Sequence, residues 1–163
     1  MSALLRIVPG AADPVGKAWI AERLREAWGS PEIVSRGRLR DASRLPAVLC
    51  HEGEELVGLA TFEIAGDQCE LVTIDAFHPG GGVGTALLNA VAEEARAQGC
   101  RRLWLVTTND NLGALRFYQR RGLRLVAVHP GAVDDARRLK PAIPRLGRDG
   151  IPIRDELELE LAL

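Results

Sequence analysis

Two hydrophobic periods alternate along this chain, and the places where one gives way to the other mark out its elements. Leu4 to Val8 reads as a short first strand ended by Pro9-Gly10, after which Asp13-Pro14 supplies a helix N-cap with proline at the first helical position. Trp19, Ile20, Leu24, Ala27 and Trp28 then share one side at helical spacing, with Glu22, Arg23 and Glu26 largely outside it, and Gly29-Ser30-Pro31 stops the helix. Ser35 to Leu45 is polar and arginine-rich, which predicts a connection with one short strand whose charges form a solvated surface.

From Pro46 the period shortens to two. Ala47 to Cys50, Leu56 to Ile64 and Glu70 to Phe77 are β-rich runs separated by Glu52-Gly53-Glu54 and Gly66-Asp67-Gln68, the pattern of an antiparallel meander. Val83, Leu87, Leu88, Val91, Ala92 and Ala95 form an apolar helical stripe, closed by Gly99 just past the C-cap. Leu103 to Val106 is a compact buried strand, Asn111 to Arg121 a further helix closed by Gly122, and Leu123 to Val128 another strand. A segment rich in Pro, Gly and Arg runs from His129 to Ile153; apolar residues recur through it and a strand follows, so it reads as an ordered, proline-stiffened lid. In the last strand, near Glu156 to Leu161, Leu157, Leu159 and Leu161 alternate with Glu158 and Glu160, leucines in and acids out. Its edge is where a second copy could pair into a homodimer, although the glutamates argue against casual pairing. No internal repeat or domain boundary interrupts residues 1–163.

Composition narrows the function classes. The 163 residues carry Lys+Arg 21 against Asp+Glu 22 and are 47% hydrophobic, which fits one soluble globular domain that needs no disulfide or metal staple. A net charge of −1 excludes polyanion binding as the main activity, since duplex binding needs a dominant cationic field. Cys50, Cys69 and Cys100 are isolated and odd in number, and read as small core hydrophobes in a reducing compartment. Met1 to Gly10 lacks the charge and apolar core of a secretion signal, and no apolar run reaches the roughly 20 residues needed to span a bilayer. The expectation is a cytoplasmic protein without membrane attachment.

The chemistry concentrates in a strand, glycine loop and helix from Ile74 to Leu88, with Pro79-Gly80-Gly81-Gly82-Val83-Gly84-Thr85 at its centre. Glycines let successive N–H groups face one anion, with the positive end of the helix dipole behind them, a site suited to a pyrophosphate. The dinucleotide fingerprint fails, because Thr85 or Leu87 stands where its third glycine belongs. The P-loop fails too, because Gly84-Thr85 lacks the lysine.

A second motif follows at Asn111-Leu112-Gly113-Ala114-Leu115-Arg116-Phe117-Tyr118-Gln119-Arg120-Arg121-Gly122-Leu123. With both motifs in this order and a strand between them, the sequence resembles the GNAT superfamily of acyl-CoA-dependent N-acetyltransferases. The resemblance is firm from about Glu70 to Val128. It implies a single α+β (mixed α/β) domain over residues 1–163, with a mostly antiparallel, splayed central sheet flanked by helices and a cleft for the pantetheine arm of acetyl-CoA. Carried over by position, it gives the pyrophosphate to the N–H groups of Gly82, Val83, Gly84 and Thr85, with Gly80 and Gly81 for close approach. The N–H of Ala76 or Phe77 would polarise the acetyl carbonyl, Asn111 would contact the pantetheine arm, and Tyr118 would protonate the departing thiolate. Phe77-His78-Pro79-Gly80 departs from the family: the loop is short and lacks the usual Arg or Gln.

An amine near pKa 10.4 is almost wholly protonated at pH 7, and freeing it costs roughly 4–5 kcal/mol unless the site takes its proton. Glu70, in a Glu-Leu-x-x-x-x-Ala frame that resembles the family's, is the first choice of general base and Asp75 the second. The bland alternatives are a strand-edge acid at Glu70, a hydrogen-bonded strand-end acid at Asp75 and a core aromatic at Tyr118. His51, His78 and His129 have no metal-ligand spacing, so no metal is expected. Of Arg101, Arg102, Arg116, Arg120, Arg121 and Arg124, one or two are candidates for the CoA 3′-phosphate and the majority read as solvated. The reading is acetyl transfer from acetyl-CoA, as co-substrate, to a primary amine by direct attack in a ternary complex. A small-molecule acceptor is favoured over a protein, and nucleic acid and membrane are not partners. The rival is a non-catalytic acyl-CoA-binding sensor.

Overall fold

In the computed structural model, which describes residues 4–13 and 15–163, the first elements are β1 (Leu5–Pro9), α1 (Lys17–Trp28), β2 (Glu32–Ser35), β3 (Arg38–Asp41), β4 (Ala47–Glu52), β5 (Glu55–Ala65) and β6 (Gln68–Ala76). They are followed by α2 (Val83–Ala97), β7 (Arg102–Thr108), α3 (Leu112–Arg120), β8 (Arg124–His129), α4 (Ala132–Leu139) and β9 (Glu156–Ala162). The seven-stranded sheet is mostly antiparallel, with strand order β1-β4-β5-β6 in one part and β7-β9-β8 in the other. The described residues pack as two units, one of those up to Glu32 with 41–103 and Leu163, the other of residues 33–40 and 104–162. No linker composition marks the division because its internal boundaries fall inside strands, β2, β3 and β7.

In the first unit the meander forms where the turn residues predict it. Gly53 and Gly66, at φ +62 and +61, turn the chain between β4, β5 and β6, and β1 joins β4 with Ile7 opposite Cys50. The buried face of α2 is the stripe read from the sequence, Val83, Leu87, Leu88, Val91, Ala92 and Ala95. Past its C-cap Gln98, Gly99 sits at φ +82; its N–H reaches the Arg96 carbonyl and that of Cys100 the Ala95 carbonyl, the paired bonds of a Schellman motif. The helix lies unusually close to β5. A Cβ on Gly58 would fall 2.5 Å from Val83 Cγ1 and 2.9 Å from Leu87 Cδ1, so this strand position has room only for hydrogen. Cys50, Cys69 and Cys100 are free and buried, as core residues should be.

α1 departs from expectation at both ends. Pro14 lies outside the described residues, and Asp13 is not the N-cap. Its carboxylate accepts the Val15 N–H at 2.9 Å and meets His51 Nε2 at 2.7 Å, which leaves Gly16 to precede the helix at Lys17. Ile20 and Leu24 are buried, whereas Ala27 and Trp28 are exposed, so the buried stripe is narrower than the periodicity suggests.

The second unit corrects further expectations. Residues 35–45 hold parts of two strands, because Arg36 and Gly37 both adopt positive φ (48° and 76°) and close a tight hairpin between β2 and β3. Its charges are not all solvated: Arg40 is buried with Nη2 donating to Ser35 Oγ at 2.6 Å. β9 offers no free edge to a second copy, because it is the middle strand of β7-β9-β8, and its acids are not all solvated. Glu156 is buried and accepts from the Arg36 N–H and guanidinium at 3.3 and 3.2 Å, and half-buried Glu158 meets His129 at 3.0 Å. The edge strand is β8, with Leu125, Val126 and Val128 exposed. Within residues 129–153 an eight-residue helix, α4, buries Val133 and Ala136, two apolar positions too few to announce it.

Arg137 knits that segment together. Its guanidinium donates to the carbonyls of Ile143, Pro144 and Ile153 and to the Asp134 carboxylate. No helix among the described residues is long and apolar enough to cross a membrane.

The close seat of α2 is testable in stability alone. Gly58→Ala must push Val83 and Leu87 off the sheet, and overpacking of this kind costs about 1–3 kcal/mol. A denaturant titration should show that loss as a lower midpoint with an unchanged slope.

Candidate active site

β6 carries the first group of site residues, and the ladder decides which way each points. Phe77 donates its N–H to the Val57 carbonyl at 2.9 Å, so Val57 and Phe77 are a hydrogen-bonded pair. The next pair, Gly58 and Ala76, is then a non-bonded one whose N–H groups point away from each other's strand. Of the two donors considered for the acetyl carbonyl, Phe77 is therefore committed to β5 and Ala76 is aimed away from it.

The two carboxylates separate in the same way. Glu70 is buried, opposite Glu63, and lies six residues before Ala76, about 20 Å along an extended strand at roughly 3.3 Å per residue. Asp75 is the neighbour of Ala76. Burial pushes the Asp75 carboxyl above its ordinary pKa, with the positive charge of Arg23 working in the opposite sense. That residue comes from α1 and places its guanidinium carbon 3.9 Å from the centre of the Phe77 ring and 5.8 Å from that of Trp19. Asp75 and Phe77, two residues apart on a strand, share this α1 face, whereas the Gly58 position faces Val83 and Leu87 of α2.

After β6 the chain turns through His78, which meets Glu55 at 3.5 Å in full solvent, and then through three left-handed glycines. Gly80, Gly81 and Gly82 have φ of 85°, 74° and 77°, and a Cβ on any of them would meet nothing within 4 Å. What glycine supplies here is backbone conformation rather than space within the chain. No side chain caps α2, and its first intrahelical backbone bond at this end runs from the Ala86 N–H to the Gly82 carbonyl at 2.9 Å. The N–H groups of Val83 and Gly84 stand ahead of that bond at the positive end of a 15-residue helix. Thr85 is half-buried directly after them.

The second unit holds the second motif. Asn111 is the N-cap of α3, its side-chain oxygen accepting from the Ala114 N–H at 3.2 Å, which leaves the amide nitrogen for other partners. Tyr118 is buried edge-on against Phe117 at 5.2 Å, and burial pushes its phenol well above the usual value. Sequence reasoning missed the clasp just before Asn111. Asn109 donates from Nδ2 to the Pro152 carbonyl at 2.9 Å, while its Oδ1 accepts the N–H groups of Arg154 and Asp155 at 2.9 and 3.0 Å. Buried Asp110 accepts the Arg148 N–H at 3.0 Å, with Gly147 too close to its carboxylate to carry a side chain. The run Asn109-Asp110-Asn111 after a strand was the available signal, but it reads as an ordinary turn.

Two of the arginines around this motif, Arg102 and Arg121, have local partners. Arg102 donates to Gln68 at 3.2 Å, and Arg121 stacks 3.7 Å from the Phe117 ring centre while donating to the Phe117 carbonyl at 2.9 Å. Among the described residues no group of three His, Cys, Asp or Glu side chains could hold a metal ion.

Known proteins share this arrangement of elements. The model of the Acetyltransferase (GNAT) family matches residues 14–123. A Bacillus subtilis (strain 168) protein, the uncharacterized protein YdhI, is 39% identical over 155 residues, covering 94% of this chain and 96% of its own. A Bacillus subtilis acetyltransferase crystallised in complex with CoA superposes with a TM-score of 0.72 at 20% identity, over 98% of this chain and 99% of that one. A GNAT family acetyltransferase from Elizabethkingia anophelis with acetyl-CoA bound gives 0.70 at 19% identity, over 98% of each chain. At such identities the solved structures speak for the fold.

Removing the Asn109 side chain tests the clasp. Each lost hydrogen bond is worth about 0.5–1.5 kcal/mol, so Asn109→Ala should speed amide hydrogen exchange at Arg154 and Asp155 by about tenfold or more. Protection in β4 to β6 should stay as in the wild type.

Proposed function

This chain belongs to the Acetyltransferase (GNAT) family, and on that premise we propose that it moves an acetyl group from acetyl-CoA to a primary amine by direct attack in a ternary complex. The observation that carries the reading is the run of three left-handed glycines leading into an uncapped α2, with the Ala76 N–H turned away from β5 at the strand end just before it. A pyrophosphate satisfies the N–H groups of Gly82, Val83, Gly84 and Thr85 without any side chain, which is how a loop lacking the family's Arg or Gln still fits this ligand. The CoA complexes of the two solved relatives support the same assignment. The reading takes residues 1–163 as one acetyltransferase domain, supported by a family match that runs through both units.

Bound acetyl-CoA supplies an activated thioester, and the chain's own groups do the rest. The Ala76 N–H donates to the acetyl oxygen as negative charge develops there. The amide nitrogen of Asn111 is the donor for the pantetheine arm. A nitrogen–carbon bond forms as the carbon–sulfur bond breaks, and one amine proton goes to a carboxylate. Asp75 fits that role better than Glu70, because it adjoins Ala76 while Glu70 lies most of a strand away. Its raised pKa makes it a stronger base than an ordinary carboxylate. Buried Tyr118 keeps its proton throughout the physiological range and donates a hydrogen bond to the departing sulfur; full transfer to a thiolate near pKa 8.5 would run uphill. The acceptor is read as a small molecule, in keeping with the ordered segment that Arg137 and Asn109 hold in place.

Two experiments test the reading. Calorimetry should show acetyl-CoA binding to the wild type and its loss in Gly84→Glu, which places bulk and negative charge among the proposed phosphate donors; no binding to the wild type would sink the proposal. Once an amine substrate is in hand, Tyr118→Phe should lower kcat about 10²-fold or more with acetyl-CoA affinity retained, whereas a sensor would show no turnover to lose.

For Asp75 the sign is fixed by its raised pKa. The base form exists only above that value, so the acid limb of the rate profile should lie above the ordinary carboxylate range and vanish in Asp75→Asn. The stability that Asp75 contributes is present below its unfolded pKa and lost as pH rises through its folded one. Asp75→Asn should therefore be no less stable than the wild type at neutral pH, which separates a catalytic loss from an unfolding one.

A further inference from the structure

We propose that this protein forms a two-fold dimer through the free edge of β8, each copy supplying the strand that the other's sheet lacks. The proposal stands apart from the acetyl-transfer reading.

β8 is the outermost strand of β7-β9-β8, and its middle carries little that discourages pairing. Leu125-Val126-Ala127-Val128 has no proline and no charge, the usual protections of an edge. Leu125, Val126 and Val128 are 46%, 44% and 52% exposed, although Leu159 of the neighbouring β9 is fully buried. Residues opposite each other in a ladder share a face, so Leu125 opposite Leu159 and Val128 opposite Leu157 carry the apolar face of β9 outward. That face is closed at Leu159 and open one strand further on.

The register identifies the occupant. Arg124, Ala127 and His129 stand opposite Glu160, Glu158 and Glu156 and form the other face of β8, and the shift between Leu125 and Ala127 leaves Val126 as the extra residue of a bulge. Antiparallel pairing of β8 with its own copy about a two-fold axis normal to the sheet keeps each face on its own side. With Leu125 opposite the second copy's Val128, Arg124 meets His129 and Val126 meets Ala127. Apolar side chains then meet apolar ones, and the two bulges lie at the axis, where both copies bend alike. A slip of one residue sets Leu125 against Ala127 or His129, which belong to the opposite face.

Charge selects the same partner. Arg124 makes no ion pair within its own chain among the described residues. In this register one row across the dimer reads Glu160, Arg124, then the second copy's His129 and Glu156, and His129 is itself bound to Glu158 at 3.0 Å. The Arg124 of each copy thus enters the field of the other's carboxylates, twice over by symmetry. A strand of unrelated sequence would meet the backbone groups of the edge without completing this row. A contact of this size belongs with the smaller, transient interfaces, so the dimer should depend on concentration.

Sedimentation velocity of the full chain is the test. The wild type should pass from monomer to dimer as its concentration rises and go no further, whereas Leu125→Lys with Val128→Lys should stay monomeric, with the melting curve of a dilute sample unchanged. Arg124→Glu, a change at the exposed end of the strand, should weaken the dimer about tenfold or more. For the register, Leu125→Cys with Val128→Cys sets two thiols opposite each other across the axis, their Cα atoms about 4.5–5.5 Å apart and within the span of a disulfide. Mild oxidation should yield a covalent dimer from that variant and none from Leu125→Cys alone, whose thiols lie three positions apart; the native cysteines are buried. A wild type that stays monomeric overturns the proposal, and so does growth beyond the dimer. A dimer untouched by the lysine pair or by Arg124→Glu, or a paired-cysteine variant that fails to cross-link, overturns it equally.

Discussion

Everything at the candidate site depends on one missing side chain. Gly58 lies opposite Ala76 in the β5–β6 ladder, and the space its Cβ would occupy is filled by Val83 and Leu87 of α2. Val83 is the first residue of that helix. One contact therefore sets the height of the helix start over the strand end, and with it the distance between the uncapped N–H groups and the Ala76 donor. The intervening residues 77–82 must close that gap, and the short loop does so with three consecutive left-handed glycines. Any residue with a Cβ would resist the same path, because the left-handed region is costly for L side chains.

The loop's brevity also changes which forces hold an anion there. A longer loop with an Arg or Gln adds side-chain hydrogen bonds and, with Arg, a full charge. Here the attraction comes from backbone N–H groups and the field of a 15-residue helix, which falls off within the first turn. A phosphate bound as proposed would therefore sit directly on Val83 and Gly84. The geometric demand on the Gly58 contact becomes tighter, since no flexible side chain can follow a displaced phosphate.

What the sequence shows about this protein divides by the range of the interactions concerned. The α2 stripe, the Gly99 terminus, the three-strand meander and the glycine loop are all governed by neighbours a few residues apart, and local periodicity found them. The errors share another origin. Asp13 is drawn from its capping role by His51, 38 positions on, and Arg36 reaches buried Glu156 across 120 positions, a pairing that local alternation cannot show. The choice between the two carboxylates meets the same limit: both fit the motif region, and only the strand shows Asp75 beside Ala76 with Glu70 buried opposite Glu63 near its other end. Motif spacing gives order along the chain, whereas hydrogen-bond direction is settled only by the partner strand.

That direction gives β6 three separate functions at its last residues. In the plane of the sheet, Phe77 ties the strand to Val57 while Ala76 turns its N–H the other way. Above and below that plane the faces differ: the Gly58 position is sealed by α2, and the Asp75 and Phe77 face meets Arg23 and Trp19 of α1. On the proposed reading, an amine approaching an acetyl group polarised by Ala76 would meet a closely packed face on the α2 side. The α1 face holds a carboxyl whose pKa burial raises and a guanidinium packed on the Phe77 and Trp19 rings. The pleat of one strand thus divides its surroundings between the two helices, with α2 packed on the Gly58 side and α1 on the Asp75 and Phe77 side.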